Sequence, residues 1–194
     1  MTGVILCGGQ SSRMGADKGL LKQDAGTWAQ SAFEKMAALQ LPVVISVNEQ
    51  QYGGYAAVFS PALLIKDDPS AEVKGPLLGL LSVHKHIPEE DLLVMACDLP
   101  LMQTQILQLL LQHAEQNLSN DAVVFLNDGE PEPLCALYRK SGLQKTLESA
   151  VQHTLKKFSM KNMLEQLSVT YIPLALEHIP AFRNINAHAE LNGL

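Results

Sequence analysis

Residues 6–18 read LCGGQSSRMGADK and follow directly on a short apolar run. Gly8 and Gly9 let the backbone approach a ligand with no Cβ in the way. The N–H groups of such a loop can cradle phosphate oxygens. Arg13 and Lys18 add positive charge, the first as a planar fork and the second as a point charge. That chemistry suits a polyphosphate. A glycine turn carrying surface charges has the same composition, and spacing alone leaves both readings open. A Walker A loop is excluded, because Gly15 is followed by Ala16-Asp17-Lys18 rather than Lys-Ser/Thr. A G-x-G-x-x-G dinucleotide fingerprint is excluded by the order Gly8-Gly9-Gln10.

Such a loop needs a scaffold. Candidate strands are Gly3–Cys7, Val43–Val47, Leu63–Lys66, Leu92–Cys97, Ala122–Leu126, Cys135–Arg139 and Val169–Pro173. Most are continuous apolar runs, as expected of strands buried on both faces. Between them, helical spacing runs over Trp28–Leu39, Leu77–His86, Gln103–Glu115 and Leu143–His153, with shorter helices at Lys156–Leu167 and Ala187–Leu191. The alternation predicts βαβ units and a three-layer α/β/α sandwich with a mostly parallel sheet, as a single domain over residues 1–194. Ligands of such sheets bind beyond the carboxyl ends of the strands. The loop from Gly8, Asn48, Asp67-Asp68 and Asp98 all fall at strand ends, so they are expected on one rim.

The composition agrees with this reading. The 194 residues are 47% apolar and 18% charged, which excludes disordered and collagen-like classes. A net charge of -6 argues against a nucleic-acid partner, which calls for a basic face. Cys7, Cys97 and Cys135 are far apart and odd in number, so neither a disulfide framework nor a zinc site follows. No signal peptide or membrane-spanning run is visible, and a soluble, cytoplasmic protein is expected. The six histidines form no ligand cluster. His84 and His86 would diverge by about 200° on a helix, and both are expected at the surface. Ile106, Leu107, Leu110 and Leu111 read as a core stripe.

The string Leu6-Cys7-Gly8-Gly9-x-Ser11-Ser12-Arg13-Met14-Gly15-x-Asp17-Lys18 is more specific than its parts. It resembles the signature loop of the nucleotidyltransferases that activate a phosphorylated acceptor, and most of all the molybdenum cofactor guanylyltransferases. Further matches follow in the family's order: Lys74-Gly75-Pro76-Leu77-Leu78-Gly79-Leu80, Ala96-Cys97-Asp98-Leu99-Pro100, Glu132 to Tyr138, and Asn184-Ile185-Asn186 with Glu190. The resemblance implies a Rossmann-like, nucleotide-diphospho-sugar transferase-like fold. It implies GMP transfer from GTP to molybdenum-bound molybdopterin, giving molybdopterin guanine dinucleotide and pyrophosphate. It maps the nucleotide site onto Leu6, Cys7, Gly8, Gly9, Lys18, Asn48, Asp68 and Asp98, with Asp98 as the Mg²⁺ ligand. Gly8-Gly9 resembles the guanylyl branch, whereas the cytidylyl branch tends to read alanine-glycine there. Position 7 departs from the family in being cysteine where alanine is usual, and the stretch after Lys18 lacks the usual Pro-Leu before the helix.

In that setting the residues take roles. Asp98 follows the strand LLVMAC, so a rigid element would hold it at the rim as an oxygen ligand; it could equally be an acid ahead of the following helix. Arg13 and Lys18 would neutralise the departing pyrophosphate, and together with Asp98 they are the candidate catalytic groups. The Asn48 amide could read guanine or ribose, or end its strand as a turn asparagine. The spacing to Gly75-Pro76 favours Asp68 as the nucleotide contact, with Asp67 capping or solvated. Pro76 fits the first position of a helix, and Gly79 permits close approach of a ligand or plain packing. Pro133, Asn184 and Asn186 are candidates for the acceptor side, with a weaker pterin-phosphate match at Lys156, Lys157 and Lys161.

Alternative readings remain within and outside the enzyme class. They are a molybdopterin cytidylyltransferase, a sugar-phosphate nucleotidyltransferase, or a nucleotide-binding module without catalysis. The implied partners are GTP, the molybdenum-bound pterin, and molybdoenzyme apoproteins or their chaperones, with no nucleic acid and no membrane.

Overall fold

A computed structural model describes residues 1–8, 17–23, 26–70, 72–155 and 157–183. In chain order, β1 (Thr2–Leu6) is followed by a ribbon of β2 (Lys22–Gln23) and β3 (Gly26–Thr27) and by helix α1 (Trp28–Ala37). Next come β4 (Val43–Val47), α2 (Glu49–Ala56), β5 (Leu64–Lys66), α3 (Pro76–His86), β6 (Leu92–Ala96) and α4 (Thr104–Gln116). The second half holds β7 (Ala122–Asn127), β8 (Glu130–Tyr138), α5 (Lys140–Val151), α6 (Met160–Leu164) and β9 (Val169–Pro173). The short helix expected at Ala187–Leu191 lies outside the described residues.

The main sheet has seven strands in the order β5-β4-β1-β6-β8-β7-β9. All run the same way except β8, which is antiparallel to both β6 and β7. The reversal is made by a tight hairpin: Asp128 and Gly129 take φ of 51° and 79°. Two consecutive positive φ values make the primed turn that matches strand twist, and an Asp-Gly pair supplies them at little cost. This hairpin extends β8 back to Glu130, five residues ahead of the expected start at Cys135.

Alternation along the central strands divides the core into two layers. Ile5, Ile45, Leu93 and Met95 pack with Met36, Ile106, Leu107 and Leu110 from α1 and α4. Val4, Leu6 and Val94 pack with Leu77, Leu80, Leu143 and Met163 from α3, α5 and α6. Each fully buried aliphatic side chain stabilises the fold by roughly 1.5–3 kcal/mol, which is why β1 and β6 carry no polar residue along their paired length except Thr2. Among the described residues, no helix is long and apolar enough to cross a membrane.

Two sequence expectations change. Helix α2 was not foreseen, because EQQYGGYA contains two glycines and little apolar periodicity. It forms because Asn48 and Gln51 make a reciprocal capping box and Tyr55 is buried. His84 is buried at 1% exposure, whereas its neighbour His86 on the other side of α3 faces solvent. Neither ring nitrogen of His84 makes a hydrogen bond of good geometry, and Gln144 is its one weak hydrogen-bonding neighbour among the described side chains. Burial pulls its pKa below the ordinary 6.5, against weaker upward pulls from Gln144 and Glu89. The folded protein thus leaves His84 neutral where the unfolded chain already binds a proton. Stability falls as pH drops below about 6.5, until the depressed folded pKa is passed. His84→Leu is expected to abolish that slope and to stabilise the protein by about 1 kcal/mol at pH 8 by removing the poorly paired nitrogens. Urea unfolding of both proteins at pH 8 and pH 5.5 measures this.

Candidate active site

The sheet order determines what can meet. Strands β5, β4, β1 and β6 are adjacent and parallel, so their carboxyl ends form one rim. Along it stand Asp67, Asn48, Cys7-Gly8 and Cys97-Asp98, in that order. With strands about 4.8 Å apart, the row from β5 to β6 spans about 14 Å. The antiparallel register continues the row: Met95 pairs with Cys135, so Pro133 on β8 lies beside the Cys97-Asp98 exit. Its carbonyl accepts from Tyr138 Oη at 2.7 Å.

At the β6 end, the backbone N–H of Cys97 donates to Leu6 O at 3.1 Å, which locks the two strand exits together. Beyond it Lys18 Nζ lies 3.3 Å from Asp98 Oδ2, with both side chains about four-fifths buried. This is an ion pair between the return of the first loop and the end of β6. Gly9 and Arg13 lie outside the described residues, as do Asn184 and Asn186 and the weaker candidate Lys156. Lys157 is exposed on the chain before α6, and Lys161 pairs with Glu130 at the hairpin.

At the β5 end the two aspartates part company. Asp67 turns inward: a Cβ on Gly8 would lie 3.1 Å from Asp67 Oδ2. Ser46 Oγ donates to Asp67 Oδ1 at 3.2 Å, and burial pushes the carboxyl up from 3.8, with the serine pulling weakly the other way. Asp68, the residue favoured by spacing, turns outward. It pairs with Lys85 and accepts from Ser70 Oγ at 2.6 Å, and these bonds hold it well below the usual carboxylate range. The reason is the period of an extended chain: consecutive side chains leave β5 on opposite faces. The cavity that Asn48 and Asp67 share, about 620 Å³, is also lined by Glu49, Gln50, Lys74, Gly75 and Leu78, whereas Asp68 lines two other cavities, of about 270 and 340 Å³, on the Lys85 side.

Asn48 ends its strand as the cap of the next helix and also lines the cavity. Its Oδ1 accepts from Gln51 N at 2.9 Å as the cap of α2, while the residue itself faces the cavity. On the far wall α3 begins at Pro76, and Gly75 has φ 66° and ψ -152°. That conformation is open to glycine almost alone and costs another residue of order 1–3 kcal/mol. Gly79 serves packing: a Cβ there would lie 2.5 Å from Ser46 Oγ, so α3 closes onto the strand that bears the Ser46–Asp67 pair. Gly75→Ala is expected to lower stability by about 2 kcal/mol and to displace the N-terminus of α3 from the cavity wall. The check is thermal unfolding alongside nucleotide binding: both should suffer, whereas loss of stability alone would make Gly75 a purely structural turn.

Sequence reasoning passed over three residues here. Asp17 accepts hydrogen bonds from Gly19 N, Gln51 Nε2 and Tyr55 Oη. Gln51 and Tyr55 belong to the helix that was not foreseen, so the one available signal was the Asn48-x-x-Gln51 capping pattern. The thiols of Cys7 and Cys97 are buried, and the hydrogen bond with Cys7 together with burial holds Cys97 well above the usual thiol pKa. The Cys97 thiol is therefore not a nucleophile in this state.

A carboxyl-edge rim with a cavity at one end and a Lys-Asp pair at the other, on this mostly parallel sheet, is the architecture of an α/β nucleotidyltransferase. The chain belongs to the MobA-like NTP transferase family, whose domain model matches residues 3–169. It is 33% identical over 193 residues to a probable molybdenum cofactor guanylyltransferase of Bacillus cereus (strain Q1), covering 97% of this chain and 92% of that protein. A protein of the same description from Flavobacterium johnsoniae is 30% identical over 199 residues, covering 100% and 96%. In fold it is similar to molybdopterin-guanine dinucleotide biosynthesis protein A from Archaeoglobus fulgidus, with a TM-score of 0.77 at 22% identity, covering 100% of this chain and 96% of that one.

Proposed function

We propose that this nucleotidyltransferase moves GMP from GTP to the terminal phosphate of molybdenum-bound molybdopterin, releasing pyrophosphate. The observation that carries the reading is the linear order of groups along the rim. The base and ribose lie in the cavity of Asn48, Asp67 and Lys74. The phosphates cross β1 at Leu6, Cys7, Gly8 and Gly9. The reacting α-phosphorus lies near Asp98, and the acceptor approaches from the β8 side past Pro133, with Asn184 and Asn186 as further acceptor-side candidates. The description of the relatives as guanylyltransferases, and Gly8-Gly9 in the sequence, support GTP over CTP.

The residues at the rim fit a magnesium ion. Asp98 would supply one hard oxygen ligand from a rigid strand end, and a single carboxylate suits an ion that is held jointly with water and substrate phosphates. Among the described residues no group of three His, Cys, Asp or Glu side chains forms a protein-only cage, in keeping with such sharing. When bound, the ion would neutralise charge on the phosphates. Lys18 shares its ammonium between Asp98 and the phosphates, and Arg13 joins it in stabilising the leaving pyrophosphate. The acceptor is a phosphate monoester, largely ionised at neutral pH, so attack needs no general base. The protein's contribution is alignment and charge.

Calorimetric titration with GTP, CTP and ATP in the presence of Mg²⁺, followed by pyrophosphate release with the molybdenum-loaded pterin, tests the proposal. Preference for GTP and Mg²⁺-dependent release is the expected result. Preference for CTP would move the chain to the cytidylyl branch, and binding without release would make it a nucleotide-binding module.

A further inference from the structure

Three backbone segments converge beside the rim: the exit of β1 at Cys7, the return of the first loop at Asp17, and the start of α2 at Asn48. One side chain joins all three. Gln51 Nε2 donates to Cys7 O at 2.8 Å and to Asp17 Oδ2 at 2.6 Å. Its Oε1 accepts from Asn48 N at 3.0 Å. On the other carboxylate oxygen, Asp17 Oδ1 accepts from Tyr55 Oη and from Gly19 N, each at 2.9 Å. Asp17 forms no ion pair among the described residues, so neutral, directional donors hold it in place. The next residue is Lys18, whose ammonium reaches Asp98.

The design of α2 shows what these contacts are for. Gln51 and Tyr55 are four residues apart and share one face of the helix. Tyr55 is the only residue of α2 that is fully buried, and it carries a hydroxyl that donates to Asp17. The inward face of α2 is therefore built to grip the loop as well as to fill the core. Gly53 and Gly54 weaken the helix, but a Cβ on Gly54 would lie 2.8 Å from Leu20 Cδ1, so the glycine lets the segment after Lys18 close against it.

We propose that Asp17, Gln51 and Tyr55 are positioning residues. They hold the two ends of the first loop together and fix the backbone from which Lys18 meets Asp98, so that the nucleotide meets a preformed site. The inference rests on the nucleotidyltransferase reading above. A protein whose competent arrangement is only partly populated binds its ligand more weakly by that fraction, with chemistry unchanged once bound. A purely structural defect does the opposite: it removes active molecules, lowering kcat at constant KM.

The test uses Tyr55→Phe, which removes one hydroxyl, and Gln51→Leu, which removes the amide at similar size. In nucleotide-free protein the Gly19 amide should exchange about tenfold faster in each variant, the effect of losing one hydrogen bond to a charged acceptor. KM for the nucleotide should rise measurably, with the roughly tenfold gain in opening as its ceiling, while kcat stays within about twofold. The double variant should cost less than the product of the two, because both act on one carboxylate. Unchanged Gly19 exchange, or a fall in kcat at constant KM, would overturn the proposal; if Gln51→Leu does not fold, Tyr55→Phe decides. If the wild type turns over CTP in place of GTP, the guanylyl reading fails and the KM comparison is made with CTP. If it turns over no nucleotide, Gly19 exchange alone decides.

Discussion

Asp98→Asn is expected to lower kcat by about 10³-fold or more while the protein keeps its fold, as loss of a group that stabilises transition-state charge does. The change is nearly isosteric and removes only the negative charge. The backbone around it is held independently, since Cys97 N donates to Leu6 O at 3.1 Å and β6 is buried along its whole length. Two losses combine at the proposed reacting centre: the proposed metal loses its carboxylate, and Lys18 loses the negative charge 3.3 Å away. Pyrophosphate release across a Mg²⁺ titration is the measurement, with the unfolding temperature as control. Partial recovery at high Mg²⁺ would show that the metal is held more weakly but still in place. Activity within tenfold of wild type would move the metal-holding role away from Asp98.

Asp67→Asn is expected to weaken GTP binding by about 100-fold and, at the same time, to stabilise the protein at neutral pH. The first effect follows if the carboxylate accepts from the nucleoside: its replacement leaves a donor facing donors in a half-buried site. The second follows from linkage. Burial raises the Asp67 pKa above 3.8. Between 3.8 and that raised value the unfolded chain has released a proton that the folded protein keeps. Stability therefore falls as pH rises through this window, and the penalty is fully present above the raised value. Asparagine carries no such penalty. Its neighbour responds with the opposite sign. Asp68 is held low by Lys85 and Ser70, so its contribution is present above 3.8 and is lost as pH falls through the depressed value. Asp68→Asn should leave nucleotide affinity within about twofold, since its side chain faces away from the cavity. Binding isotherms for GTP and unfolding curves at pH 7 and pH 4 on both variants separate the two aspartates. Equal loss of GTP affinity in the two would contradict the assignment of Asp67 to the cavity.

That contrast shows where sequence reading stops. From spacing to Gly75-Pro76, Asp68 is the better nucleotide contact. Only the exit direction of β5 turns Asp67 inward and sends Asp68 to Lys85. In the same way His84 reads as a surface residue from its two-residue separation from His86. The packing of α3 on the sheet buries one and exposes the other. Helix α2 was invisible because its stability comes from a capping box and from hydrogen bonds to Cys7 and Asp17, neither of which leaves an apolar period. The reversal at β8 went unread, since a continuous apolar strand such as LCALY carries no sign of its direction.

By itself, the sequence determined most of the sheet's strands, four of the helices and the class of chemistry. Continuous apolar runs make strands that must be buried on both faces, and buried parallel strands put their following loops on one rim. Strand order aside, this alone brings Gly8, Asn48 and Asp98 to a common edge, and the loop's glycines, arginine and lysine suit phosphate. The tertiary structure decided the order of groups along that rim, which aspartate faces the cavity, and how the loop is held at its neck. Those properties depend on strand order, on the two-residue period at a strand's last residue, and on hydrogen bonds between residues 34 to 80 positions apart. Such relations arise from the packing of the whole chain and leave no local pattern in the sequence.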